Sequence, residues 1–432
     1  MSPHLLRVSG LGILCTVSFV ALATLGAQQG RGAGAPAGRA GQAAPPQGQG
    51  RGRGGGPITI HAARLIDGKG GTIDNAVITV QGTKIIAVGP ATAGQTYTYD
   101  LGSATVLPGM IDVHVHLNWY FGPNGKYGEP NVPPDYVGQA IQANARATLM
   151  AGFTTVQSVG WNGDPALREA IAAGIITGPR LLTSVLQIQG GNSTPDQLRE
   201  RVRQAKAQGA DLIKFFASGS IRDGGKMNVT QEQTDAVCGE AKALGLRSLV
   251  HAHDPQSIIA SVKAGCSEIE HGLFADDAAI KAMKDADVYF DPNIGLVLQN
   301  YLENKDKFMG SGNFNAEGFA SMEGALPNLA VVFRKALAAG LKMPMGTDAV
   351  AGAHGQNARE IVARVAAGQK PMDAIIGATS LAAESLRLGD QIGTLAPGFE
   401  ADIVAVPGNP LTDISAVRNV TFVMKGGRVY KK

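Results

Sequence analysis

Residues 106–116 read Val106-Leu107-Pro108-Gly109-Met110-Ile111-Asp112-Val113-His114-Val115-His116. Ile111, Val113 and Val115 alternate with Asp112, His114 and His116. A period of two marks a β-strand, so both histidines leave it on the same side. Two imidazoles side by side at a strand end can grip one divalent metal ion, because neutral imidazole is a good zinc-type ligand. Taken alone, the pair reads more simply as a strand with two solvent-facing histidines. The residues downstream reverse that reading.

From 107 to 388 the chain alternates strand patterns with amphipathic helical ones. Strand patterns begin near Val106, Phe153, Arg180, Leu212, Arg247, Glu268, Val288 and Met343. Helical patterns such as Pro195 to Gln208, Thr230 to Leu244 and Pro255 to Ala264 separate them. Eight such units over roughly 280 residues fit an α/β (β/α)8 TIM barrel. A doubly wound sheet is the rival, but it would bind at one crevice rather than collect ligands from many strands.

In a barrel the strand C-termini converge on one face, and catalytic residues come from several strands. Strand one supplies His114 and His116, strand four Lys214, strand five His251 and His253, strand six His271, and strand eight Asp348. The chain has eight histidines. His4 and His61 lie outside this region, five of the other six stand at expected strand ends, and His354 follows Asp348 by six residues. That clustering predicts a metal site.

An ammonium has donors and no acceptor, so Lys214 cannot bind a metal as it stands. Its simplest role is pairing with a carboxylate. A lysine whose pKa is lowered by burial and a nearby metal can instead react with CO2, and the two carbamate oxygens can bridge two metals. Two metals roughly 3.5–4 Å apart would polarise a carbonyl and deliver a hydroxide. Asp348 can bind one metal, accept the proton of the attacking water and pass it to a leaving amine. A lone Thr-Asp would otherwise be a turn or N-cap. His251 and His271 fall to the second metal. His253 shares the side of His251 and is assigned to substrate or oxyanion contact. His354 is a further substrate contact or an exposed loop histidine. Asp254 and Glu270 either orient ligands from behind or are ordinary strand-end polar residues. The segment Leu296 to Leu326 is long for a βα loop, which places it on the active face as a lid or an oligomer contact.

Both ends of the region are flanked by short strand patterns. Ile58-Thr59-Ile60, Ala76 to Val80 and Lys84 to Val88 precede it, with turns at Asp67-Gly68 and Gln81-Gly82. Ala401 to Val406, Val420 to Met424 and a Lys425-Gly426-Gly427-Arg428 hairpin follow it. Neither set buries a core alone. Residues 57–106 and 389–432 therefore read as one composite β-sandwich, with the barrel (107–388) inserted between its halves.

Residues 1–27 carry Arg7, an apolar run from Leu11 to Leu25 and small residues after it, the pattern of an export signal. That run is too short for a stable membrane span. Residues 28–56 are Gly, Ala, Pro, Gln and Arg with little to bury, a disordered tether. A periplasmic or extracellular location follows. The formal net charge is +3. Residues 1–56 hold five arginines and no acid, so the folded part is close to neutral and does not suggest nucleic-acid binding. Of three cysteines, Cys238 and Cys266 lie in different units and are expected as buried free thiols.

The motifs together resemble those of the amidohydrolase superfamily, in particular its imidazolonepropionase-like and Xaa-Pro dipeptidase-like secreted branch, which includes ochratoxin-hydrolysing members. They are Pro-Gly-Met-Ile-Asp-Val-His-Val-His at 108–116, Ile-Lys-Phe-Phe-Ala-Ser-Gly at 213–219, His-Ala-His at 251–253, Ile-Glu-His-Gly at 269–272 and Gly-Thr-Asp-Ala at 346–349. The resemblance spans Ile58 to Arg428. It implies a binuclear, zinc-type site with His114, His116, carboxylated Lys214, His251, His271 and Asp348 as ligands. It also implies amide hydrolysis of a dipeptide or N-acyl amino acid and a homo-oligomeric assembly. Lys214 favours the dipeptidase-like side over cyclic amide or lactone hydrolysis. A complete ligand set with Asp348 argues against a barrel that only binds.

Overall fold

Alternating β-branched and polar residues build the first strands, β1 (Ile58–Ile66), β2 (Thr72–Gln81), β3 (Lys84–Pro90), β4 (Tyr99–Asp100) and β5 (Thr105–Pro108). Next come β6 (Met110–Val115), β7 (Phe153–Ser158), β8 (Arg180–Thr183), β9 (Gln187–Gln189), β10 (Leu212–Phe216), β11 (Arg247–Ala252), β12 (Glu268–His271) and β13 (Tyr289–Asp291). The last three are β14 (Ile403–Val406), β15 (Phe422–Lys425) and β16 (Arg428–Lys431). The computed structural model describes residues 56–432; the expected signal peptide and all but the last residue of the tether lie outside the described residues. No helix among the described residues is long and apolar enough to cross a membrane.

The two ends of the chain meet in one sheet of order β16-β15-β14-β5-β1-β2-β3, with β4 beside β1. Both ends of the chain thus build one small β domain, as the composite reading expects. The hydrogen-bonded path is continuous, and it folds over its own core: Ile78 of β2 and Phe422 of β15 belong to the same buried cluster. Within it β5 runs parallel to β1 and antiparallel to β14. The sequence reading begins the first barrel strand near Val106. The structure breaks that run at Gly109, giving β5 to the small sheet and β6 to the barrel. A Cβ at Gly109 would overlap the Thr154 side chain, so the crossing needs glycine.

Strands β6 to β13 are parallel and mostly buried, as strands covered on both faces must be. They form two runs, β6-β7-β8 and β9-β10-β11-β12-β13. Val185, with φ of 63°, interrupts the strand between β8 and β9. Asp211 N nevertheless donates to Thr183 O at 2.8 Å, and β9 pairs with β10. The other gap is filled by residues 342–349. Phe290 N donates to Lys342 O (2.9 Å), Val113 N to Met345 O (3.0 Å) and Asp348 N to His114 O (2.8 Å). The expected strand at Met343 is thus an extended segment rather than a regular one. Pro344 has no N–H to give a ladder, and Gly346 lies where a Cβ would strike the Asp291 carboxylate.

The helices begin where their caps dictate. Thr194 and Thr230 each form a capping box, with Gln197 and Gln233 respectively, at the starts of Pro195–Ala207 and Gln231–Ala243. Asp254 caps Pro255–Lys263.

Cys238 and Cys266 form a disulfide, which corrects the free-thiol expectation. Cys238 lies in the helix Gln231–Ala243, and Cys266 follows the helix Pro255–Lys263. These helices belong to consecutive units, which a barrel sets side by side, so different units did not mean distant ones. The bridge spans 28 residues, and a loop of that length contributes about 3–4 kcal/mol on the chain-entropy model. The Cys238→Ala/Cys266→Ala protein is expected to melt several degrees lower, and neither cysteine should alkylate before reduction. An unchanged melting temperature would refute a stabilising bridge.

Asp112 ties β6 to the 342–349 segment. Its carboxylate accepts from Thr347 N (3.1 Å), Thr347 Oγ1 (2.6 Å), Asn357 Nδ2 (2.7 Å) and His114 N (3.1 Å). Burial raises its pKa to about 7 against these bonds. Asp112→Ala leaves several buried donors unpaired and is expected to cost ~2–4 kcal/mol. Denaturant titration measures this; a loss below about 1 kcal/mol would mean that water replaces the carboxylate.

Candidate active site

The strand ends bring seven expected residues to the wall of one cavity of about 360 Å³: His114, His116, Lys214, His251, His253, His271 and Asp348. Parallel register sets the layers. Phe216 pairs with His251, His251 with Glu270, and Glu270 with Asp291. Two residues then depart from strand geometry. His271 (φ 67°) and Asp348 (φ 52°) are left-handed. At His271 this breaks the alternation of β12, so Glu270 and His271 both face the centre. The bond from Asp348 N to His114 O holds Asp348 opposite the first histidine pair.

Two sets of ligand atoms lie within 4.8 Å of one another: His114, His116 and Asp348, and His114, Glu270 and His271. His116 Nε2 is 3.0 Å and His114 Nε2 3.3 Å from Asp348 Oδ1. Lys214 Nζ lies 3.3 Å from His114 Nε2 and donates to Glu270 Oε2. Glu270 Oε1 lies 3.1 Å from His114 Nδ1. The imidazole of His251 is 4.7 Å from that of His271 and 4.5 Å from that of His253, centroid to centroid. His251 belongs to neither set. Its Nε2 meets the Gly219 carbonyl at 3.2 Å; a carbonyl only accepts, so the proton sits on Nε2 and Nδ1 keeps its lone pair.

The donor set fits divalent metals. Burial, reinforced by Lys214 or by neighbouring histidines, holds His114, His251 and His271 well below the ordinary imidazole pKa, so they are neutral bases at pH 7. Burial, helped by Arg222, brings His253 down to about 3. Both ring nitrogens of His253 and Nδ1 of His116 are buried and lack hydrogen-bond partners among the described residues, a state that native interiors avoid unless something else binds there. Burial raises Glu270 to about 7, opposed by Lys214.

His354 does not line the cavity. It stands beside the backbone of His116 and Trp119, off the cavity wall where a substrate contact was expected. Asp254 is a helix cap rather than a ligand orienter.

The Leu296–Leu326 segment is largely helical, with helices at Val297–Glu303 and Lys305–Phe308 and the start of Ala316–Ala338. It supplies Leu298, Tyr301 and Asn313 to the cavity wall. Phe308 stacks on Phe314 (5.0 Å) and meets Phe121 (5.2 Å) and Tyr127 (5.3 Å), while Trp119 stacks on Tyr127 (4.7 Å). The loops after β6 and β13 thus share one aromatic wall. Sequence reasoning undervalued Glu270 and did not single out Arg222, Tyr301 or Asn313. For Arg222 a signal existed: it follows a barrel strand by six residues, on the face where barrels bind substrate.

The amidohydrolase family model matches residues 105–430. A solved Xaa-Pro dipeptidase with methionine bound in its active site is 32% identical, with a TM-score of 0.78 over 87% of this chain and 100% of that one. The ochratoxinase of Aspergillus niger is 26% identical over 427 residues, 86% of each chain. The imidazolonepropionase of Geobacillus kaustophilus is 22% identical over 417 residues, 83% of this chain and 91% of that one. The chain belongs to the amidohydrolase family, and is a metal-binding hydrolase of carbon–nitrogen bonds.

Proposed function

We propose that the protein cleaves the amide bond of a dipeptide or N-acyl amino acid, with Asp348 as general base and then general acid. The observation that carries this reading is Lys214, buried at the centre of the histidine cluster and within 3.3 Å of His114 Nε2. We assign His114, His116 and Asp348 to one divalent ion, zinc by donor type, His251 and His271 to a second, and carboxylated Lys214 to both. When bound, the ions would polarise the scissile carbonyl and make water acidic enough to attack near neutral pH.

The residues of the chain have defined tasks. The Lys214 ammonium first gives up a proton to solvent; the free amine then forms a bond from Nζ to the carbon of CO2 and releases a second proton. Glu270, raised to about 7, is placed to take it. Asp348 is 15% exposed and opens to the cavity, so it can take a proton from water and return it to the leaving nitrogen. His253 faces the same space with two free nitrogens and is assigned to the developing oxyanion or the substrate carbonyl. The small sheet, 57–106 with 389–432, is assigned a structural role. The signal pattern together with the Cys238–Cys266 bridge supports export to an oxidising compartment; sequencing the N-terminus of protein recovered outside the cytoplasm tests this.

The primary test is elemental analysis of the purified protein with a hydrolysis screen of dipeptides and N-acyl amino acids. Two metals per chain and turnover in that panel are expected. One metal, with turnover of cyclic amides or lactones only, would replace this reading with the imidazolonepropionase-like one. Metal without turnover of any amide would leave a binding barrel.

A further inference from the structure

Arg222 sits in the short turn Ile221–Asp223 that follows β10, and it lines the cavity. Its guanidinium lies over the Phe314 ring at 4.0 Å and near the Tyr301 ring at 5.5 Å. Its Nε donates to Asn313 Oδ1 at 2.6 Å. Asn313 Nδ2 in turn donates to Asp223 Oδ2 at 2.7 Å, so that acid is spent on the amide. Among the described residues no carboxylate lies within 4.0 Å of the Arg222 guanidinium. The other basic side chain on the cavity wall, Lys214, already faces Glu270.

The cavity thus holds two unlike ends. One is the histidine, lysine and aspartate cluster. The other is a guanidinium fixed on its Nε edge by Asn313 and on its face by two aromatic rings, with no carboxylate on its terminal nitrogens among the described residues. A guanidinium edge matches a carboxylate with two parallel hydrogen bonds. Leu273, Leu298 and Leu329 supply apolar wall in the same cavity. Aromatic and amide contacts have already removed most of the rotamer freedom of Arg222, so little is lost on binding.

We propose that Arg222 receives the free α-carboxylate of the fragment that leaves as the amine, and so restricts the enzyme to amides of C-terminal amino acids with apolar side chains. This inference rests on the amide-hydrolase reading above. It deepens that reading by naming the substrate end that the site reads. Arg222 is a binding residue with no part in proton transfer.

The test compares N-acetyl-L-leucine, N-acetyl-L-phenylalanine and N-acetyl-L-proline with their C-terminal carboxamides on the metal-loaded protein. Binding is read by calorimetry and turnover by amine release, for the unaltered protein, Arg222→Met and Arg222→Lys. The acid is expected to be preferred by roughly 10–100-fold, the range of a charge-assisted hydrogen-bonded pair. Arg222→Met should collapse that ratio towards one, mainly through KM, and Arg222→Lys should restore part of it. Equal binding of acid and carboxamide by the unaltered protein overturns the proposal, as does no measurable binding of the acid. So does an equal loss for both in Arg222→Met, since a merely structural arginine would lower both alike. If the acid binds preferentially, Arg222→Met abolishes that preference and nothing is hydrolysed, the carboxylate site stands and the amide-hydrolase reading fails.

Discussion

Asp348→Asn is expected to lower kcat by about 10³-fold or more while the protein stays folded. General acid–base catalysis alone supplies roughly 10²–10⁴-fold, and this carboxylate is also placed to hold a metal. Asparagine suits the position. It has the same shape, it tolerates the left-handed backbone found at Asp348, and it keeps the N–H bond to His114 O. Its amide can neither take a proton from water nor carry one to the leaving nitrogen. The measurement is kcat across pH beside metal content. Activity within tenfold of the unaltered enzyme, with metal retained, would move the proton-transfer role elsewhere, and His253 would be the next candidate.

Lys214→Ala is expected to reduce bound metal from two ions to one per chain and to abolish turnover. With ¹³C-bicarbonate, the unaltered protein should show a carbamate carbon resonance that the variant lacks. In the metal-free protein, where Lys214 is not carboxylated, the substitution also strands Glu270, which is fully buried and has Lys214 as its counter-charge. Removing one partner of a buried pair typically costs ~3–5 kcal/mol. Here protonation limits the cost, because burial already raises Glu270 to about 7 and losing Lys214 raises it further. A carboxyl with a raised folded pKa holds its proton better folded than unfolded. The variant should therefore lose stability, relative to the unaltered protein, as pH rises from 6 to 9. Thermal melts of the two metal-free proteins across that range test the sign. A variant that keeps both metals, or whose deficit shrinks with rising pH, would contradict the bridging role or the Glu270 pairing respectively.

The strands and helices of the barrel were legible because period and caps are local. His114 and His116 share a side of β6 by alternation alone, and Thr194 and Thr230 start their helices through bonds three residues away. What failed was non-local. The pairing of Cys238 with Cys266 depends on consecutive helices lying side by side. The role of Glu270 depends on a left-handed His271, which no alternation rule anticipates. His354 follows Asp348 closely in sequence, yet it stands beside the backbone of His116 and Trp119 rather than on the cavity wall. Arg222 acquires its meaning from Asn313 and Phe314, some ninety residues away.

The position of β5 sets a timetable for the chain's birth. It is flanked by β1 on one side and β14 on the other, and β14 is followed only by β15 and β16. A growing polypeptide can collapse the barrel segments as they appear, but it cannot finish the sheet until β14 to β16 have left the ribosome. Until then Leu107 and Val106 lack the partners Val404 and Ala405. Emergence of β14 is thus the latch, and any chain cut short before residue 403 carries an open edge that marks it as unfinished.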